Sequence, residues 1–398
     1  MTDTQKQEFA QALRNNVTDN ILPYWMDKMV DPRGGFYGRR DGNDCLDADA
    51  PKGAILNGRL LWTFAAAYRV LGDPRYLEMA LRARDYILEH FIDHERGGVY
   101  WSLNADGTPL DTKKQFYALA FVLYGMAELV RATGDDTALR TAGRLFDVIE
   151  SRSRDRAKGG YIEALTADWQ PIADMRLSDK DDNASKTMNT HLHILEAYTN
   201  LLRVWPTDEC REAVRNLLEI FFDKILDRRN WHLGLFYDDD WRRVDREISY
   251  GHDIEASWLL LEAAQVLGDP DMYRRARELT GKIARAALQG RCWDASMVYE
   301  RHASGHYDND KHWWVQAEDM VGQLYLARFH GLENMWNKAQ ETWAYIDANL
   351  VDHVNGEWYW SRRDGHINRT DDKAGFWKCP YHNTRACLEA ARLLESAD

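Results

Sequence analysis

The sequence predicts an all-α fold, an (α/α)6 barrel of six inner and six outer helices with short β-hairpins at one end. Three observations carry the prediction. A short Gly/aromatic segment recurs about every 60 residues, with one gap nearer 75. The helical stretches between these segments alternate between two kinds, apolar nearly all round and apolar on one face. No Pro/Gly/Ser-rich linker divides the 398 residues, so residues 1–398 read as one domain rather than two consecutive helical ones.

The recurring segments are, in order, Gly34-Gly35-Phe36-Tyr37, Gly97-Gly98-Val99-Tyr100-Trp101, Gly159-Gly160-Tyr161-Ile162, Leu233-Gly234-Leu235-Phe236-Tyr237, Ser296-Met297-Val298-Tyr299 and Gly356-Glu357-Trp358-Tyr359-Trp360. Most lead into a polar turn such as Asn104-Ala105-Asp106-Gly107 or Arg363-Asp364-Gly365, so each reads as a short hairpin. A fixed period of this kind marks a repeat architecture. Between the hairpins, Leu60–Tyr68, Phe116–Leu129, Leu192–Leu202, Ile254–Ala264 and Val321–Phe329 are apolar on every side and belong inside. Leu77–His90, Ala138–Glu150, Arg211–Leu226, Met272–Leu288 and Met335–Leu350 carry charged outer faces. Helices at about Gln5–Asn20 and Tyr381–Leu394 complete six pairs.

Composition narrows the function. No run of eighteen apolar residues occurs, so no membrane span is expected. The polar stretch Met1–Phe9 lacks the basic-then-apolar pattern of a secretory signal. Five scattered cysteines without CxxC spacing argue against a disulfide framework and a zinc site. Together these point to the cytoplasm. A formal charge of −13 disfavours nucleic acid as a partner. Sixteen Trp and nineteen Tyr lean mildly toward a sugar ligand, since aromatic faces stack on sugar rings, though large helical cores also use them.

If hairpins and inner-helix starts share one end of the barrel, the residues opening the inner helices converge there. Those openings hold Asn57 and Arg59; Tyr117; Asn189, His191 and His193; His252 and Glu255; Trp313, Trp314 and Glu318; then Trp377, His382 and Arg385. Each has a structural alternative. Arg59 could sit in a buried ion pair, and Tyr117 could be core beside Phe116 and Phe121. Of His191 and His193 only one can face the axis. His193 has Glu196 three residues on, as His252 has Glu255, so His193 is placed inward and Glu255 is expected to orient His252. The successive Trp313 and Trp314 could form a sugar platform. No acidic or histidine partner stands at standard ligand spacing from the His-x-His pair, so no metal is expected. Histidine dominance suits proton removal and return near neutral pH. A glycosidase on this barrel would instead work through a carboxyl pair, here Glu255 and Glu318.

At this point the sequence resembles the cellobiose 2-epimerases, within the wider N-acylglucosamine 2-epimerase superfamily. The resemblance rests on Ser185-Lys186-Thr187-Met188-Asn189-Thr190-His191-Leu192-His193, Tyr250-Gly251-His252-Asp253-Ile254-Glu255-Ala256-Ser257-Trp258 and Trp377-Lys378-Cys379-Pro380-Tyr381-His382-Asn383. With Trp313-Trp314-Val315-Gln316-Ala317-Glu318 and Arg59-Leu60-Leu61-Trp62, these motifs span nearly the whole chain. It implies the same barrel and a reversible C2 epimerisation of a reducing-end glucose or mannose unit without a cofactor. It also implies a small-molecule sugar as partner, and a monomer or weak homodimer is expected. In its terms His252 and His382 are the acid/base residues at C2, and His193 helps open the ring. Arg59 would hold the carbonyl oxygen; Tyr117, Asn189 and Glu255 bind or orient, Trp314 and Trp377 stack on sugar rings, and Glu318 supports the site. The chemistry agrees. The C2 proton is acidic only after ring opening exposes a C1 aldehyde, and the resulting enediolate needs a fixed positive partner. Return of the proton to C1 would give a ketose, so a mannose 2-epimerase or aldose–ketose mannose isomerase is the close alternative. A glycoside hydrolase or a non-catalytic sugar-binding protein is the distant one.

Overall fold

The computed structural model describes residues 1–396. Its helices are α1 (Asp3–Asn15), α2 (Leu22–Lys28), α3 (Ala54–Leu71), α4 (Pro74–Tyr86), α5 (Phe116–Thr133), α6 (Asp136–Arg152) and α7 (Met188–Val204). They continue with α8 (Asp208–Ile220), α9 (Tyr250–Leu267), α10 (Pro270–Ala287), α11 (Trp313–His330), α12 (Met335–Asn349) and α13 (Tyr381–Glu395). Helices α3, α5, α7, α9, α11 and α13 each pack against the next, and α13 returns to α3. This closes an inner ring, with α1, α4, α6, α8, α10 and α12 outside it.

Burial follows the sequence pattern. In α5 every residue from Phe116 to Leu129 is buried; the helix is long and apolar enough to cross a membrane by length and composition, yet here α3 and α7 flank it inside the ring. In the outer α8 the buried residues include Cys210, Ala213, Val214, Leu217 and Leu218, the i, i+3, i+4, i+7, i+8 stripe of a helix wet on one side. The turns α3–α4, α5–α6 and α9–α10 are each set by a Gly-Asp pair. Gly72, Gly134 and Gly268 adopt φ of +77°, +74° and +72°, the left-handed closure of a helix that costs glycine least. The aspartate that follows, Asp73, Asp135 or Asp269, then caps the next helix through its side chain.

Helices α5 and α13 start at Phe116 and Tyr381 as predicted, whereas others start earlier than their apolar patterns predict, α3 at Ala54 rather than Leu60 and α7 at Met188 rather than Leu192. Polar Asn57, Arg59, Asn189 and His191 break the apolar run without breaking the helix. The hairpins are likewise not separate. The strand before each inner helix pairs with the hairpin of the next repeat, as Lys52–Gly53 with Ser102–Leu103 and Lys114–Gln115 with Ala164–Leu165. A bridge between Arg40 and Ala374 links the ends of the chain.

A buried clasp recurs at this end. A lysine just before the inner helix meets an aspartate of its own repeat: Lys52 with Asp31 at 2.7 Å, Lys114 with Asp93 at 2.7 Å, Lys186 with Asp155 at 2.8 Å, and Lys373 with Asp352. Each ammonium also lies over an aromatic ring, Tyr86, Tyr100, Trp241 and Tyr359 respectively. The clasps tie down the chain ahead of α3, α5, α7 and α13, and so help set where the first polar residues of those helices stand.

Candidate active site

The N-terminal ends of α3, α5, α7, α9, α11 and α13 bring most of the predicted residues to one bowl. Arg59 is buried, and its Nη2 donates to the Tyr117 hydroxyl at 2.9 Å. Its guanidinium lies over the rings of Phe121 and Tyr381, centroids at 4.2 and 5.1 Å. No carboxylate pairs with it among the described residues, so the ion-pair alternative fails. What stands there is a fixed cation with charge to spare.

The two inner-facing histidines of the middle repeats have unlike partners. His193 Nδ1 is 2.8 Å from Glu196 Oε2, the i, i+3 pairing that the sequence predicts. His252 Nδ1 instead meets Ser249 Oγ at 2.7 Å. Glu255 is therefore not the orienting partner of His252. Its carboxylate turns across the barrel axis, accepts from Arg385 Nη2 at 2.8 Å and stands 3.8 Å from His382 Nδ1. Ser249, the cap residue of α9, is nearer to the imidazole than a side chain one turn further in. His191 faces away from the bowl: its Nδ1 is 2.6 Å from Thr187 O, and its Nε2 accepts from Tyr161 N at 2.9 Å. Both ring nitrogens are thereby spent on the backbone.

His382 Nδ1 lies 2.7 Å from Glu318 Oε1. Trp314, half-buried, packs its ring on both His252 and His382, with centroids 4.9 and 5.6 Å apart. It is the wall between the two histidines. Trp313 is not part of the platform that the doublet predicts. Successive helical residues point about 100° apart, and Trp313 is buried against Trp360 at 4.9 Å and under the Lys378 ammonium at 5.1 Å. Trp377, half-buried, stands 6.1 Å from Tyr117. Asn189 and His252 open onto a cavity of about 500 Å³ walled by Arg176, Asp181 and Tyr299, and Asn189 Oδ1 is buried without a partner among the described residues.

Below the histidines lies a charge network. Arg385 donates to Glu196, to Tyr381, to Glu255 at 2.8 Å and to Glu318 at 2.6 Å. Burial raises Glu196, but the charge of Arg385 and the bond to His193 outweigh it and bring the carboxyl to about 2. Burial and the neighbouring Glu318 push Glu255 the other way, up to about 8. Burial also lowers all three histidines, His252 to about 3, with Arg59 and Arg385 adding to the effect on His382. At neutral pH the site thus holds neutral imidazoles beside a carboxyl that keeps its proton. Glu255, Glu318 and His382 are spaced closely enough to hold a metal ion, but the Arg385 guanidinium already lies between the two carboxylates. The same contact argues against a glycosidase, since two carboxylates joined through one guanidinium cannot flank a bond.

A larger cavity, about 770 Å³, opens at the opposite end of the barrel. It holds none of the three histidines. Its arginines Arg69, Arg203 and Arg392 are bound by Glu128, Glu262 and Glu389, which makes it a salt-bridged base.

With this geometry in place the comparisons are specific. The profile of the N-acylglucosamine 2-epimerase (GlcNAc 2-epimerase) family matches residues 35–386. A relative from Bacteroides fragilis named cellobiose 2-epimerase is 55% identical over 382 residues, covering 95% of this chain and 97% of the relative.

The chain belongs to the N-acylglucosamine 2-epimerase family.

A Ruminococcus albus relative of the same name is 36% identical, covering 95% of this chain and 97% of its own. The solved cellobiose 2-epimerase of Bacillus thermoamylovorans superposes with a TM-score of 0.93 at 37% identity, covering 97% of this chain and 99% of that one. This protein is a carbohydrate epimerase. Sequence reasoning missed one residue of its bowl and the role of another. Ser249 had a signal, a serine three residues before His252 at a helix start. Arg385 was visible as an inner-helix polar residue, but its role as the hub of three glutamates on three other helices depends on ring closure, which no local pattern encodes.

Proposed function

We propose that this epimerase interconverts glucose and mannose at the reducing end of β-1,4-linked disaccharides such as cellobiose, with the whole ring acting as one catalytic domain. The observation that carries the reading is the pair His252 and His382 packed on Trp314, in a bowl with Arg59, which no carboxylate neutralises among the described residues. His193, paired with Glu196, moves the proton that opens the pyranose ring and exposes C1 as an aldehyde. Arg59 and the Tyr117 hydroxyl hold O1. One histidine takes the C2 proton, and the C–H electron pair moves into C1–C2 as the carbonyl pair moves to O1. A proton returned to the other face of C2 reverses the electron flow and gives the epimer. Arg59 stabilises the charge on O1, a term worth about a hundred- to thousandfold in rate for one donor. Trp377 and Trp314 supply stacking faces, and the cavity beyond His252 and Asn189 supports a second sugar unit.

The test is incubation with cellobiose, and separately with mannose, in deuterated water. Glucosyl-mannose carrying deuterium at C2 is expected from cellobiose. Ketose alone would replace the reading with an aldose–ketose isomerase, and conversion of mannose but not cellobiose would replace it with a monosaccharide enzyme. Free glucose released from cellobiose would sink all three.

A further inference from the structure

We propose that Ser249 is a positioning residue: its hydroxyl holds His252 in the tautomer with the proton on Nε2, the reverse of His382, whose proton Glu318 keeps on Nδ1. The inference deepens the proposed function, since it takes both rings to face C2.

Ser249 is buried, and as the cap of α9 its Oγ accepts the backbone N–H of His252 at 3.4 Å. The same Oγ lies 2.7 Å from His252 Nδ1. A hydroxyl has one hydrogen to give and two lone pairs. One lone pair is turned to the N–H. The hydrogen, buried, needs an acceptor, and among the described residues Nδ1 is the one acceptor bonded to this hydroxyl. Nδ1 therefore accepts. A neutral imidazole that accepts at Nδ1 carries its own hydrogen on Nε2, the nitrogen turned to the bowl. Burial without a carboxylate partner keeps the ring neutral.

His382 is held the other way. Glu318 Oε1 already accepts from Arg385 Nη2 at 2.6 Å, and Oε2 accepts from Trp258 Nε1 at 2.9 Å. A carboxylate receiving N–H donors at both oxygens is an acceptor toward His382 Nδ1 as well. That fixes Nδ1–H and leaves the Nε2 lone pair facing the sugar. The resting bowl thus presents a hydrogen-bond donor from His252 and a base from His382, so His382 is the ring that takes the first C2 proton, becoming an imidazolium held by Glu318. Ser249 is also the more adaptable partner. A hydroxyl can turn and accept from Nδ1–H whenever the ring has taken up a proton there, whereas a carboxylate cannot become a donor without itself taking up a proton.

The experiment is nitrogen-15 NMR of the histidine-labelled full-length enzyme without sugar, with His252→Gln and His382→Gln used to assign the two rings. Protonated Nε2 is expected for His252 and protonated Nδ1 for His382. Ser249→Ala should give a tautomer mixture at His252 and lower kcat about tenfold, the scale of one hydrogen bond, with KM changed less than about twofold. Ser249→Thr should restore both tautomer and rate. Ser249→Gly costs a helix cap only a few tenths of a kcal/mol, so equal rate losses for Ala and Gly separate tautomer control from fraying of α9. Protonated Nδ1 at wild-type His252, or wild-type tautomer and rate in Ser249→Ala, would overturn the proposal. The spectra decide the tautomers even if neither cellobiose nor mannose is turned over, so failure here and failure of the proposed activity stay distinct.

Discussion

His382 and Arg385, one turn apart on α13, share a single acceptor: Glu318 Oε1 meets His382 Nδ1 at 2.7 Å and Arg385 Nη2 at 2.6 Å. The same arginine reaches Glu196 on α7 and Glu255 on α9. One guanidinium thus ties the carboxylates behind His193 and His382 to one rigid frame. Three carboxylates around one buried cation would repel each other if all were ionised, and burial with this repulsion raises both Glu255, to about 8, and Glu318.

Glu318→Gln should therefore separate orientation from binding. The amide no longer enforces the Nδ1–H tautomer of His382, while the aromatic walls stay. We expect kcat to fall about a hundredfold or more, the lower range of what a positioned acid/base group contributes, with KM within about threefold of wild type. Initial rates of cellobiose epimerisation across substrate concentrations measure both. A large rise in KM at unchanged kcat would place Glu318 in ground-state binding instead.

Arg59 is a second case where activity and stability should part. Its buried guanidinium has the Tyr117 hydroxyl and the Trp377 carbonyl as polar partners but no counter-charge among the described residues, an arrangement that costs folding energy. Arg59→Met should lower the rate about a hundred- to thousandfold while leaving Tm equal or higher. Thermal unfolding beside a rate assay checks it. A loss of many degrees would mean that the arginine holds the fold rather than the enediolate.

Period and burial made the architecture legible, because an inner helix must be apolar on every side while an outer one is not. Convergence of Arg59, Tyr117, His193, His252, Trp314 and His382 follows from that architecture alone. What stayed illegible were choices between near neighbours. His252 has Glu255 three residues ahead and Ser249 three behind, and a pattern of spacings favours the carboxylate. The direction of each side chain, set by helix tilt and by the pull of Arg385 across the ring, decided otherwise. Trp313 and Trp314 are alike in sequence and differ by one helical step, which sends one into the core. The lysine clasps were missed for a different reason: aspartate and lysine stand some twenty residues or more apart, so no local pattern pairs them.

Glu163 predicts a pH dependence of stability. Burial raises its carboxyl from an ordinary value near 4.5 to about 8, although Thr187 and Thr190 hydrogen-bond to it. The folded protein then binds this proton more tightly than the unfolded chain. Its contribution is full below about pH 4.5 and is lost as pH rises through 8, with a slope of at most about 1.4 kcal/mol per pH unit. Glu163→Gln should make the urea-unfolding free energy less steep by about one proton between pH 5 and 8. An unchanged slope would mean that the carboxyl is ionised in the fold.

The clasp of Asp93 and Lys114 allows a sharper stability test, because both side chains are fully buried 2.7 Å apart. Removing one partner strands the other. Asp93→Ala leaves an ammonium with only the faces of Tyr100 and Trp169 at 4.9 and 5.5 Å, and should cost about 3–5 kcal/mol. Lys114→Met should cost less, since Asp93 still accepts from the backbone N–H groups of Glu95 and Arg96 at 3.1 and 2.9 Å. The double variant Asp93→Asn/Lys114→Met keeps those two bonds and removes both charges, so it should be the most stable of the three in urea unfolding. Lys114 lies three residues before Tyr117, so Asp93→Ala should also loosen the donor on O1 and lower kcat/KM at temperatures well below unfolding. With Asp93→Asn alone as the fourth corner of the cycle, losses that add in the double variant would show that the two side chains act independently and that the clasp is not a unit.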